Sequence, residues 1–309
     1  MPPTWSRDVV RRHERNPILT VEDIPFPCNT VFNAACTMLG HETLLLLRVE
    51  DLRGHSLFAL ARSSDGVNFI VEDEPVMEPG HYGEYAIYER KGIEDPRITR
   101  LEDTFYVVYT AASDFGPRLA LARTDDFHHF ERVGLISEPE NKDGALFPRK
   151  INDRYVRLDR PMVGATGHVW ISFSDDLIHW GDSRVLLPVR GDSWDSGRVG
   201  ASAPPIETRF GWLEIYHGVK FTAGGPIYRL GAAMLDINDP TALLCRSVVP
   251  ILTPREYYER VGDVNNVVFS CGAILDQGDE LRIYYGAADT SICLGTARIQ
   301  ELMDFCAIG

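Results

Sequence analysis

The chemistry of this chain is densest at Gly92-Ile93-Glu94-Asp95-Pro96-Arg97-Ile98-Thr99. Two adjacent carboxylates precede a proline, and an arginine follows two positions after the second. A carboxylic acid held in a defined orientation can donate a proton to a leaving oxygen. Pro96 has a fixed φ and biases the residue before it away from the α region. Asp95 is therefore expected on a short extended corner just ahead of a strand. Arg97 is expected to steady whichever carboxylate does no chemistry. On its own, a Glu-Asp-Pro-Arg of this kind is more often a charged turn.

Four further groupings add weight. Asn33 lies in an apolar stretch, and Arg48 ends the run Leu44 to Leu47 ahead of Val49-Glu50-Asp51. The ordinary meaning of the latter is a buried Arg–Asp pair. Residues 142–160 hold six Lys or Arg against three Asp in a protein of net charge −14. Such a cluster is usually a solvated face. Here Lys142 and Arg160 bracket apolar strand sequence, which makes an inward-facing anion site the sharper reading. His217 follows a strand and precedes Gly218, downstream of Gly197-Arg198-Val199-Gly200 and Pro204-Pro205. A lone histidine is more often structural. Finally, Tyr284-Tyr285-Gly286-Ala287-Ala288-Asp289-Thr290 sets aromatic rings beside one carboxylate. That suits a sugar, whose apolar face stacks while its hydroxyls hydrogen-bond, and it suits an all-β core equally well.

The elements that would position these residues repeat. Short β-branched or alternating runs are separated by Gly, Asp, Asn and Pro clusters. Five units can be counted, with leading strands near 44, 105, 155, 212 and 281, spaced 50 to 69 residues apart. Several share a polar turn closed by an aromatic residue, such as Thr124-Asp125-Asp126-Phe127-His128-His129-Phe130. The expectation is an all-β chain folded as a five-bladed β-propeller, with a β-sandwich as the runner-up. Residues 1–15 are expected to form an N-terminal arm, with Ser6 capping a short helix through Arg12. Residues 16–309 would form a single propeller, in which Asn16-Pro17-Ile18-Leu19 completes the last blade. Helix is expected only near the termini, including a short one at Gln300–Cys306.

Composition narrows the function classes. The chain has 309 residues, 44% apolar and 25% charged, as in ordinary globular proteins. Its acidic balance argues against a general role in binding nucleic acid or an anionic membrane. The six cysteines show no metal-ligand spacing, and no signal peptide is evident. A soluble cytoplasmic protein without a metal is expected, and a homo-oligomer is left open.

Taken together, these stretches resemble glycoside hydrolase family 130, the inverting β-mannoside phosphorylases and related β-mannosidases. The matching stretches include Val31-Phe32-Asn33, Leu47 to Asp51, Gly92 to Thr99, Lys142 to Pro148, Arg160-Pro161, Tyr216-His217-Gly218 and Tyr284 to Thr290. The resemblance implies a five-bladed propeller with Asp95 as the catalytic acid, relaying its proton through a sugar hydroxyl. Asn33, Arg48 and Asp289 would contact the mannosyl unit. Lys142, Arg160, Arg198 and His217 would hold inorganic phosphate, the co-substrate, alongside an oligosaccharide. The residue chemistry agrees: a phosphorolytic site needs one acid and several fixed cations, whereas an inverting hydrolase needs a second carboxylate as base. Hydrolysis by the same fold and a non-catalytic glycan-binding propeller are the competing readings. More distant are the five-bladed furanosidases, which need three carboxylates.

Overall fold

The computed structural model describes residues 8–306. They form five successive antiparallel units. Unit 1 comprises Thr30–Leu39, Glu42–Glu50, Ser56–Ser63 and Ile70–Val71. Unit 2 comprises Gly92–Leu101, Thr104–Ala112, Arg118–Thr124 and Glu131–Leu135. Unit 3 comprises Asn141–Leu146, Tyr155–Val163, Val169–Ser174 and Gly181–Leu187. Unit 4 comprises Arg198–Ala201, Gly211–Thr222, Gly225–Leu235 and Leu243–Arg246. Unit 5 comprises Val268–Leu275, Glu280–Ala287 and Ser291–Arg298, and is completed from the start of the chain by Arg11–Arg12 and Leu19–Thr20.

The run Leu44-Leu45-Leu46-Leu47 shows why these strands look uniformly apolar. All four side chains are fully buried. Successive side chains leave opposite faces of a strand. Leu45 and Leu47 enter the core shared with unit 5, while Leu44 and Leu46 enter the core shared with unit 2. Further cores lie between units 2 and 3, units 3 and 4, and units 4 and 5. Each sheet is thus covered on both faces. Truncating one such leucine to alanine would cost roughly 2–5 kcal/mol.

The polar turns repeat in geometry as well as in sequence. The hydroxyls of Ser63, Thr124 and Ser174 accept the N–H of Gly66, Phe127 and Leu177, which all have positive φ. The aspartates 65, 126 and 176 then accept two further backbone N–H groups each. In the first turn the hydroxyl is that of Ser63, one residue earlier than its sequence pattern suggests.

Four expectations need correction. The strands near 44, 105, 155, 212 and 281 are the second of each unit, not the first. Arg11–Arg12 is a strand paired with Thr296 and Gly295, not the end of a helix; Ser6 lies outside the described residues. From residue 8 onward the expected arm belongs to the last sheet, because Val10 enters an apolar core and Arg12 meets Glu259 at 2.7 Å. Besides the expected helix at Ile299–Cys306, single helical turns occur mid-chain at Tyr85–Tyr88 and Tyr257–Arg260. No helix of the described residues is long and apolar enough to cross a membrane.

Candidate active site

The leading strands of units 1, 2 and 3 share one irregularity. Pairing skips between Phe32 and Ala35, between Glu94 and Arg97, and between Lys142 and Ala145. In each skip sits a short polar residue in the left-handed region: Asn33 at φ 51°, Asp95 at φ 50° and Asp143 at φ 59°. A β-bulge adds an unpaired residue and re-aims its side chain. Asn and Asp tolerate positive φ better than other side chains. The three bulges thus turn three polar groups out of the strand alternation, toward one place.

That place is a cavity of about 390 Å³. Among its lining residues are Asn33, Arg48, Asp95, Lys142, Asp143, Arg160, Arg198, His217 and Asp289. All eight residues singled out in the sequence therefore meet here, and every unit contributes at least one. Tyr228, Phe269, Val264 and Val267 supply an apolar wall that the sequence did not mark.

Asp95 is not on an extended corner. Its left-handed backbone is held by Arg97, whose Nη1 donates to the Asp95 carbonyl at 3.0 Å. Arg97 acts on Asp95 through this carbonyl and through its charge, not by a hydrogen bond to the Glu94 or Asp95 carboxylate as expected; it also donates to the carbonyls of Ser202 and Ala201, tying unit 2 to unit 4. Asp95 Oδ1 accepts from Asn33 Nδ2 and from Arg48 Nη1, both at 2.9 Å. Oδ2 is thereby the oxygen left for a ligand. Burial pushes the Asp95 pKa up, but Arg48, Lys142, Arg97 and the Asn33 hydrogen bond outweigh it, and the net shift is down. Glu94 bridges two cations, with Oε1 at 3.1 Å from Arg48 Nη2 and Oε2 at 2.9 Å from Lys142 Nζ.

Asp143 was part of a quoted stretch but was not chosen from the sequence. It is 1% exposed and gathers three partners: Arg160 Nε on Oδ2, Arg97 Nη2 at 3.3 Å from Oδ1, and His217 Nε2 at 3.5 Å. Burial raises its pKa, yet these neighbours hold it well below the usual carboxylate range. Burial pushes His217 down to about 4, so its imidazole is neutral near pH 7. Arg198 is held differently, through Nε to the Ala165 carbonyl at 2.7 Å. Burial, only partly offset by Arg48, pushes Asp289 up to about 7.

Two glycines are fixed by close approach. A Cβ on Gly200 would fall 2.1 Å from Asp143 Oδ2 and 2.5 Å from His217 Cε1. One on Gly286 would fall 2.3 Å from Asn33 Oδ1. Gly-Arg-Val-Gly and Tyr-Gly-Ala in the sequence carry this requirement, but only the tertiary contacts reveal it.

Comparison with known proteins places the chain among β-mannoside phosphorylases. A β-1,2-mannobiose phosphorylase of Listeria innocua is 44% identical over 250 residues, 80% of this chain and 68% of that protein. A β-1,4-mannooligosaccharide phosphorylase of Ruminococcus albus is 34% identical over 312 residues, 98% of this chain and 92% of that protein. The solved β-1,2-mannobiose phosphorylase from Listeria innocua, in complex with β-1,2-mannobiose, superposes with a TM-score of 0.88 at 36% identity, covering 97% of this chain and 99% of that one. The model of glycoside hydrolase family 130, described as beta-1,4-mannooligosaccharide phosphorylase, matches residues 7–308, and the chain belongs to that family.

Proposed function

We propose that this protein catalyses inverting phosphorolysis of a β-mannoside, yielding α-mannose 1-phosphate and a shortened acceptor. The observation that carries this reading is the single cavity where Asn33, Arg48, Asp95 and Asp289 meet Lys142, Arg160, Arg198 and His217. The first set fits a mannosyl ring and its leaving oxygen. The second fits a phosphate dianion, with guanidinium and ammonium donors approaching from units 3 and 4.

In this mechanism phosphate attacks the anomeric carbon on the face opposite the leaving oxygen. The bond from that carbon to the glycosidic oxygen breaks as the new bond to phosphate oxygen forms. Asp95 supplies the proton for the leaving oxygen from Oδ2, through a sugar hydroxyl, and is reprotonated from solvent afterwards. Arg48, Lys142 and Arg97 favour the ionised form of Asp95. A phosphate dianion beside Lys142 and Arg160 offsets those cations and raises the acid's pKa. Phosphate is therefore both the nucleophile and the agent that lets Asp95 keep its proton. No metal is part of this scheme.

Hydrolysis would require a carboxylate able to activate water. Asp143 is made a poor base by its cationic partners, and Asp289, pushed up to about 7, is assigned here to the mannosyl unit and not to water. The five units are, in this reading, the blades of a propeller. An apolar core between each consecutive pair, and between unit 5 and unit 1, supports ring closure. The six free cysteines suit a reducing compartment such as the cytoplasm. Incubating the protein with β-1,2- and β-1,4-mannobiose, with and without phosphate, tests the proposal. Phosphate-dependent release of α-mannose 1-phosphate is expected. Free mannose released at equal rates in both conditions would overturn it.

A further inference from the structure

We propose that a second cavity, about 400 Å³ in volume and set between units 2 and 3, is a saccharide-binding site that takes a neutral mannosyl unit. The proposal rests on the phosphorylase reading for the identity of the sugar, and on the cavity's own chemistry for the ligand class.

The two cavities lie on opposite sides of one strand pair. In the ladder joining Asn141–Leu146 to Tyr155–Val163, Lys142 faces Arg160 and Asn141 faces Pro161. Neighbouring residues of a strand point to opposite faces. Accordingly Lys142 and Arg160 line the first cavity, whereas Asn141 and Pro161 line the second. Pro117 and Arg118 divide in the same way. One layer of backbone separates the sites.

The second cavity is walled by the face of unit 3 that carries Arg157, Asp159, Trp170 and Ser172, with Trp180 beside them. Arg157 pairs with Ser172 and Asp159 with Trp170 across the ladder. The opposite face of the same sheet carries Val156, Leu158 and Ile171 into an apolar core. A polar sheet face enclosed between two units is costly unless its groups are partnered. Arg157 Nε and Asp159 Oδ1 have no partner among the described residues, but both are closed off from the cavity surface, so a ligand would be held by the accessible groups of the lining.

The lining sets Arg118 and Arg157 against Glu138 and Asp159, so arginines and carboxylates are equal in number. Arg157 Nη2 meets Asp159 Oδ2 at 2.6 Å, and the guanidinium lies 4.4 Å over the Trp180 ring. An anion would find no free cation in this pair. A hydroxyl-rich neutral ligand fits better: the indole of Trp170, over which no cation of the described residues lies, takes the C–H face of a pyranose. The hydroxyls of Ser172 and Ser183, themselves 2.9 Å apart, take its polar edge, while Asn141 is bonded on both sides, from Arg160 N–H and to Asp159 Oδ2.

The test is calorimetric titration of the full chain with β-1,2- and β-1,4-mannobiose in phosphate-free buffer, where no turnover occurs. Two sites per chain are expected for the wild type. Trp170→Ala should leave one, with mannobiose phosphorolysis unchanged when phosphate is added. Ser183→Phe, which fills the cavity from an exposed strand position, should give the same loss without removing a half-buried ring. Asp289→Ala should abolish the other site and keep this one. A single site in the wild type, or two sites in both cavity variants, would overturn the proposal. A Trp170-dependent site in a protein that shows no phosphorolysis would instead sink the functional reading and leave this site standing.

Discussion

Asp95 and Asp143 occupy the same place in adjacent units. Each is an aspartate in the left-handed region, inside a bulge of the leading strand, aimed at the same cavity. Their surroundings make them opposites. Asp95 has both hydrogen bonds on one oxygen and leaves the other for a ligand. Asp143 spends its two oxygens on Arg160, Arg97 and His217. The repeat therefore supplies position, while the partners from neighbouring units decide whether a carboxylate can move a proton or only hold cations in place. The first is a candidate acid, the second a positioning residue for the anion side.

The most severe way to break the symmetry is Asp95→Asn. The amide keeps an oxygen for Asn33 and Arg48 but has no acidic proton to transfer, so turnover should fall by roughly 10²–10⁴-fold, with the fold intact. Steady-state rates on an unactivated mannobioside, set beside a circular-dichroism melt, check both halves. Near-normal rates would reduce Asp95 to a structural turn.

Asp143→Asn should act in the opposite sense, on stability and phosphate more than on the chemical step. Removing one partner of a buried ion pair leaves uncompensated charge and costs roughly 3–5 kcal/mol. Unfolding in denaturant should show that loss. In whatever fraction remains folded, the KM for phosphate should rise well above that for mannoside, because Arg160 and His217 are no longer oriented. Equal rises in both constants would mean that Asp143 serves the whole cavity, and the contrast with Asp95 would lose its meaning.

Gly200→Ala sharpens the same point with no change of charge. The added methyl collides with Asp143 and His217, which must shift. Phosphate-dependent turnover should drop several-fold while sugar binding without phosphate is retained; impaired sugar binding would show that the two sides of the cavity are not separable. A gentler probe is pH. With Asp95 as the proposed acid, its protonated form is the active one, and activity should fall as pH rises through its pKa. Saturating phosphate should move that falling limb to higher pH, and a limb indifferent to phosphate would contradict the coupling.

Much of this site was legible in the sequence, and the gaps have a common cause. Arg48, Arg160, His217 and Asp289 could be found because each interrupts or ends an apolar strand or its following loop. The leading strands themselves were missed. Bulges at Asn33, Asp95 and Asp143 break the period-two alternation by which a strand is recognised, so the feature that builds the site also hides its scaffold. Asp143 escaped because the excess of Lys and Arg over residues 142–160 drew the reading to the cations, whereas its partners lie 17, 46 and 74 positions away. The strand at Arg11–Arg12 is too short and polar to be read as one; it exists only because unit 5 offers an edge.

The smallest expected effect concerns Asp289, which shares the cavity with Asp95 but titrates the other way. Burial raises it from 3.8 to about 7, with Arg48 opposing and Asp95, Asp263 and Glu94 adding to the rise. The folded state therefore prefers the protonated form. The contribution this preference makes to stability is complete below the ordinary aspartate value, and it is lost as pH rises through the folded one. Asparagine imitates the protonated side chain at every pH. Asp289→Asn should consequently melt close to wild type on the acid side of 3.8, and gain progressively up to about 7, after which the difference levels off. Thermal midpoints across that window, measured without ligand, decide the matter. A difference that stayed constant with pH would mean that folding leaves the Asp289 pKa unshifted, and one that ran in the opposite sense would mean that Asp289 is held ionised like Asp95.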